Sequence, residues 1–301
     1  MQSESEKLIL RGVRIKNYKS FRVFPGDNEF LPLGNLNTII GKNDIGKSNL
    51  LHAIMTVLED DKISIEDFHK YNTNESCEIS LKFDIPESLK ENSELRNFLG
   101  SNRYITVSKI FSYNLAKDKI EMKNIINSMS RDIKNIKEFF PKVIFIPGIK
   151  KIEDEIKLTR DSIISKLMLP LIETENILQA INNIVSQINK EVETIWKDLL
   201  KLNKQLWEDL ERINITIDKF NIQKTLTPGV KVKDKSLPAE VDLTSRGYGF
   251  QRYFVVSLLE LYRRRNIGKG FVLLFEEPEI YLHYGAQRKL ANILKDFSKQ
   301  G

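Results

Sequence analysis

Residues Gly41-Lys42-Asn43-Asp44-Ile45-Gly46-Lys47-Ser48 carry two glycines, a lysine and a hydroxyl at the spacing of a phosphate-binding loop. The residues around this octet restrict the fold further. Leu36-Asn37-Thr38-Ile39-Ile40 reads as a strand running into the loop, and Leu50, Leu51, Ile54, Val57 and Leu58 recur at helical spacing after it. Strand, loop and helix in that order predict an α/β chain. In such a loop successive backbone N–H groups turn toward phosphate oxygens, which glycine permits, and the helix that follows points its positive end at the anion. The expected phosphate-facing residues are Gly41, Lys42, Asn43, Asp44, Gly46, Lys47, Ser48 and Asn49. The Lys47 ammonium is expected beside the β- and γ-phosphates of ATP, and the Ser48 hydroxyl on Mg²⁺.

A second segment predicts the other half of such a site. Phe271-Val272-Leu273-Leu274-Phe275 is a buried-strand run, and it ends in Glu276 and Glu277. Parallel strands deliver their C-terminal ends to the ligand crevice, so both carboxylates are expected where nucleotide would lie. Glu276 is the expected Mg²⁺ ligand. Glu277 is the expected catalytic group, together with Lys47, placed to orient or deprotonate the attacking water.

Between these segments lies Ser245-Arg246-Gly247-Tyr248-Gly249-Phe250-Gln251-Arg252, followed by the apolar helix Phe254 to Leu261. On its own it would read as a glycine-rich turn that caps a helix. Together the three pieces GKNDIGKS, SRGYGFQR and LLFEEPEIYLH resemble the RecF/SMC-like branch of ABC ATPases. More narrowly they resemble the OLD (overcoming lysogenization defect) nuclease family, including the ATPase subunit of the Gabija defence system. Ile15 to Phe21, IKNYKSF, is similar to that family's first strand and turn, so the resemblance spans nearly the whole chain.

The resemblance implies an ABC-type phosphate-loop NTPase head with a mixed β-sheet and an inserted long-helix, coiled-coil-like dimerisation segment. Ser245, Gly247 and Gly249 would then form the signature element, which contacts the γ-phosphate held by the other subunit of a homodimer. The partners implied are a second copy, DNA, and an effector or helicase. Residues 1–150 would form the first part of the head, 151–212 the helical insertion, and 213–301 the second part with the signature and the acidic strand.

Three departures from the family pattern stand out. No glutamine occurs from Ser3 to Leu178, so the lid-loop glutamine is missing, and Asp67 or His69 stands near its expected place. Tyr284-Gly285 follows His283 where related sequences commonly have a proline. Finally, the chain stops at Gly301, inside or just after the helix that follows the acidic strand, before the family's switch histidine and metal-dependent TOPRIM domain. His283 comes too early for the switch and reads as part of a dimer-facing turn. On this reading the nuclease is not encoded in this chain, and nucleotide binding survives the loss better than turnover does.

The middle of the chain has another periodicity. Leu178, Ile181, Val185, Ile188, Val192, Ile195, Leu199, Leu202 and Leu206 follow alternating three- and four-residue steps, with no Gly or Pro between Pro170 and Pro228. That predicts one helical seam roughly 40 Å long, packed either on its own domain or as an arm against a partner. Ile213, Ile215 and Ile217 then alternate as a strand would. Further strands are expected at Cys77 to Phe83 and Arg103 to Ser112, with a polar connection from Asn114 to Lys137.

Composition narrows the class. Hydrophobic residues make up 41% of the 301 and charged residues 29%, a balance that suits a folded domain and not a disordered one. The apolar runs fall well short of the roughly 18 residues that span a bilayer, and Met1 to Lys7 has no apolar signal core, so a cytoplasmic, membrane-free protein is expected. Cys77 is the only cysteine, which excludes an internal disulfide. A net charge of +6 is compatible with DNA. The Arg263-Arg264-Arg265 cluster reads first as the basic end of a helix that complements its dipole, with a nucleic-acid contact as the alternative. The function expected is an ATPase head. The alternatives are a scaffold held together by unhydrolysed nucleotide and a DNA-repair clamp without nuclease activity.

Overall fold

The computed structural model describes residues 7–93, 95, 104–127, 129–130, 134–148, 162, 175–204, 230–233, 239–264 and 270–299. The chain divides into two compact units, one made of residues 1–150 with 252–301 and the other of residues 151–251.

The first unit opens with strand β1 (Ile9–Tyr18), which pairs antiparallel with β2 (Phe21–Phe24), β3 (Leu31–Pro32) and β4 (Cys77–Asp84). The ladder continues antiparallel through β5 (Tyr104–Asn114), β6 (Lys119–Ile126) and β7 (Met129–Ser130). Alternation explains which face is buried: Cys77, Ile79, Leu81 and Phe83 of β4 and Ile105, Val107 and Phe111 of β5 all point into the core. Helix α1 (Lys47–Leu58) covers this face with an apolar stripe of Leu50, Ala53, Ile54, Val57 and Leu58.

A parallel pair completes the mixed α/β architecture. After α2 (Lys134–Lys137), β8 (Lys142–Ile146) pairs in parallel with the later β11 (Phe271–Phe275), Phe275 lying opposite Ile146. Helix α1 also packs on β8. Beyond β11, helix α5 (Tyr284–Ser298) packs Ala286 and Leu290 with Val256 and Leu282.

In the second unit the described residues include α3 (Glu175–Lys204), the short antiparallel pair β9 (Lys231–Val232) and β10 (Val241–Asp242), and the start of α4 (Tyr248–Arg264). Helix α3 coincides with the predicted seam up to Lys204. Leu178, Ile184 and Ile188 are 40%, 53% and 40% exposed. Leu206 and the alternating Ile213 to Ile217 lie outside the described residues, as does Arg265.

Two sequence expectations fail. Leu36 to Ile40 is not a strand. The Asn37 amide accepts from Gly34 N (2.9 Å) and donates to Gly34 O (2.8 Å), closing a turn that takes the backbone away from ladder pairing. The apolar side chains then meet solvent, Ile40 being 88% exposed. The polar connection after Asn114 is also no plain loop, because it contains β6. Asn114 Oδ1 accepts from the amides of Ala116 and Lys117, which turns the chain back into a hairpin. Polar side chains on the open face of β6 mask its strand pattern.

Candidate functional site

The phosphate loop is bounded by a left-handed Gly46 (φ 106°), immediately before α1. A Cβ on Gly46 would lie 2.2 Å from Ser20 Oγ, so only glycine fits over that hydroxyl. Ser20 Oγ also accepts from Asn49 Nδ2 (3.0 Å), joining the turn between β1 and β2 to the first turn of α1. That turn is itself braced. Lys19 N donates to Asp67 O (2.7 Å), His69 Nδ1 to Lys19 O (2.8 Å), and the buried Asn17 donates to Asn72 O and Glu75 O. Asp67 further accepts from Ser64 N (2.7 Å) and faces the Lys19 ammonium at 3.5 Å. Asp67 and His69, singled out as neighbours of the missing lid-loop glutamine, therefore brace the turn that supports the phosphate loop.

Within the loop, Lys47 Nζ donates to Gly41 O and Lys42 O, both at 2.8 Å. Its ammonium is thus held against the loop by two exposed backbone carbonyls. Gly41, Lys42, Asn43, Asp44 and Ser48 are exposed, and Asp44 has a left-handed backbone (φ 60°). His52, one turn beyond Ser48, has its ring 5.3 Å from that of Phe145 on β8. Burial, and then the Lys19 ammonium, hold this imidazole below its usual range, with the Glu276 carboxylate pulling the other way. His52 of α1 and Glu276 at the tip of β11 belong to the same unit.

At the strand tip, Glu276 N donates to Ile146 O (2.9 Å), extending the parallel ladder by one residue. Its Oε2 accepts from Gly148 N (3.3 Å). Its Oε1 is buried and has no hydrogen-bond partner among the described residues. A buried carboxylate oxygen without a partner is costly and suits a cation or a water held by one. No group of three or more His, Cys, Asp or Glu side chains that could hold a metal ion by themselves occurs among the described residues. Ser48 and Glu276 are the residues that would hold Mg²⁺.

Glu277 is exposed and adopts a left-handed backbone (φ 42°), uncommon for a residue with a side chain. Two groups that sequence reasoning left without a role surround it. A Cβ on Gly148 would come within 3.0 Å of Glu277 Oε2. The Arg252 guanidinium donates to Pro147 O (3.2 Å), Glu276 O (2.9 Å) and Glu277 O (3.2 Å), and lies over the Phe275 ring. A Pro-Gly pair directly after the apolar run Val143 to Ile146 was the available signal for Gly148; Arg252 sat inside a quoted motif.

In the second unit, Ser245 Oγ donates to Asp242 O (2.7 Å), and Gly247 has open space where a Cβ would stand. Gly249 lies in the first turn of α4. Gln251, 7% exposed, donates to Thr244 O (3.0 Å) and Arg246 O (2.6 Å) and so fixes the loop's shape. His283 caps α5, its Nδ1 accepting from Ala286 N at 3.3 Å.

The AAA ATPase domain matches this sequence over residues 9–110 and 105–301. The chain belongs to that family. This ATPase domain is 24% identical over 313 residues to the OLD nuclease of Thermus scotoductus, covering 95% of the chain and 56% of the relative. It is also 24% identical over 308 residues to Endonuclease GajA of Bacillus cereus, covering 94% and 52% respectively. The resemblance to the OLD family carried by the three motifs is thereby borne out, and the ATPase domain spans about half the length of these relatives. Among solved structures, the Smc head domain of Pyrococcus furiosus aligns with a TM-score of 0.53 over 98% of this chain and 88% of that one. At 13% identity that likeness shows the fold alone. No described helix of the ATPase domain is long and apolar enough to cross a membrane.

Proposed function

We propose that this chain is the ATP-binding and ATP-hydrolysing head of an OLD-like protein, acting in the cytoplasm as an ATP-driven homodimer in DNA metabolism or defence against phage. The observation that carries this reading is the grouping, in one unit, of the phosphate loop with the acidic tip of a parallel strand whose buried Glu276 Oε1 has no partner among the described residues. Backbone N–H groups of Gly41 to Ser48 bind the phosphates, and Lys47 leaves its two carbonyls for the β- and γ-oxygens. When bound, Mg²⁺ neutralises charge on those phosphates, with Ser48 and Glu276 as its protein ligands. Glu277 orients a water and accepts its proton as the new P–O bond forms and the bond to ADP breaks, giving ADP and phosphate. Ser245, Gly247 and Gly249 of a second copy complete the γ-phosphate contacts, so that ATP joins two heads and hydrolysis releases them. The relatives are nucleases, and their additional length is the place to look for the effector that this head drives.

Steady phosphate release from ATP that is lost in Glu277→Gln, while ATP binding persists, is the expected result. Tight ATP retention with no release from the wild-type chain would replace the enzyme with a nucleotide-held scaffold.

A further inference from the structure

We infer that Arg252 is a positioning residue for hydrolysis: with Gly148 it clamps the backbone of the acidic tip so that Glu277 keeps its left-handed conformation. This rests on reading Glu276 and Glu277 as the hydrolytic pair.

The tip needs such a clamp. Residues past the end of β11 have left the ladder after Glu276 N, and Glu277 has a left-handed backbone that an ordinary side chain keeps only where its surroundings enforce it. Arg252 supplies the enforcement. One nitrogen, Nη2, donates to the carbonyls of both Glu276 and Glu277, while Nη1 donates to Pro147 O at the end of the neighbouring strand. The planar fork therefore ties the ends of β8 and β11 together at the level where the carboxylates emerge. The Phe275 ring, 4.7 Å from the guanidinium carbon, fixes the plane of the fork from one side. From the other direction, Gly148 N reaches Glu276 Oε2, and its bare Cα leaves room for Glu277 Oε2, which a Cβ would approach to 3.0 Å. Carbonyl acceptors take nothing from the carboxylates themselves, so Arg252 shapes the tip and leaves Glu277 free to accept a proton. An arginine can do this because it offers several donors in one rigid plane, whereas a lysine offers a single point charge.

The test compares Arg252→Gln, Arg252→Lys, Arg252→Ala and Gly148→Ala with wild type and Glu277→Gln, in phosphate release, fluorescent ATP-analogue binding and thermal melting. For Arg252→Gln, kcat is expected to fall about tenfold to hundredfold with nucleotide affinity and melting temperature close to wild type, since misplacing a reacting group costs rate more than binding. Arg252→Lys should recover part of the loss, and methylguanidine added to Arg252→Ala should restore turnover without helping Glu277→Gln. A well-folded Arg252→Gln with wild-type kcat overturns the inference, as does a parallel loss of affinity and kcat. Should Arg252→Gln fail to fold, the Lys variant and Gly148→Ala carry the test: wild-type kcat in both refutes it. If Glu277→Gln turns over like wild type, the assignment of the acidic pair is what fails. If the wild-type chain releases no phosphate, Mn²⁺ binding in the presence of ATP, followed by electron paramagnetic resonance, reads the tip directly. There, several-fold weaker Mn²⁺ binding in Arg252→Gln supports the clamp, and unchanged binding overturns it.

Discussion

Gly46 and Lys47 are neighbours in the chain, yet their substitution should fail in different ways. Gly46 is confined twice, by its positive φ and by Ser20 Oγ beneath it. Gly46→Ala must unseat the turn between β1 and β2 or distort the loop, at a cost of about 1–3 kcal/mol. We expect both a lower melting temperature and lost ATP binding. Lys47 contacts two exposed carbonyls through a flexible side chain, and its main partner is the phosphate. Lys47→Ala should abolish binding of a fluorescent ATP analogue and leave the melting temperature unchanged within error. Normal affinity in that variant would remove Lys47 from the site. Tyr18, beside the same turn, has its phenol pushed up to about 12 by burial, so it stays neutral and acts in packing.

Helix α1 is held at its C-terminal end by a charge inside the core. Lys109 lies on the inward face of β5 between Val107 and Phe111, with its side chain 0% exposed, and bonds Thr56 O (3.0 Å) and Asp60. Burial alone would raise the Asp60 carboxyl, but Lys109, and then Lys137, hold it below the ordinary carboxylate range. A carboxylate whose folded value is depressed contributes stability at neutral pH, and that contribution is lost as pH falls through the acid range below ~3.9. Asp60→Asn should therefore lower stability by about 3 kcal/mol at pH 7, because the lysine is left buried without its anion. The difference from wild type should shrink toward low pH, as followed by urea unfolding at several pH values. A constant difference down to pH 3 would contradict the pairing. The same element carries the phosphate loop at its other end, so this ion pair is a remote support of the site.

At the scale of the whole molecule, helix α3 carries exposed apolar residues. An amphipathic helix of 30 residues with Leu178, Ile184 and Ile188 this exposed presents more apolar surface than a lone helix keeps in water. If a second copy covers it, replacing Val185 and Ile188 together by Asp would bury unpaired charge and should abolish dimers in sedimentation velocity. An unchanged sedimentation coefficient would assign that face to the chain's own packing. DNA involvement belongs to this scale too. Turnover stimulated by DNA should decline steeply with salt as phosphate contacts release counterions, and a salt-independent response would argue against direct contact.

The candidate site leaves local traces in the sequence, because glycine and charge mark particular positions. The octet Gly41 to Ser48, the apolar run into Glu276 and Glu277, and the start of α4 after Gly247 all follow from spacing and residue type. The strands at Cys77 and Tyr104 follow from alternation. The segment from Leu36 to Ile40 misled, since a side-chain bond from Asn37 outweighed the strand propensity of its neighbours, and β6 was hidden because polar residues on an open face look like loop. Tertiary structure alone placed Ser20 under Gly46, Gly148 against Glu277 and Arg252 on three carbonyls. These contacts join residues far apart in the chain through backbone atoms, which every residue shares. One-dimensional pattern records which side chains are present; which carbonyl a guanidinium finds depends on how strands and helices pack.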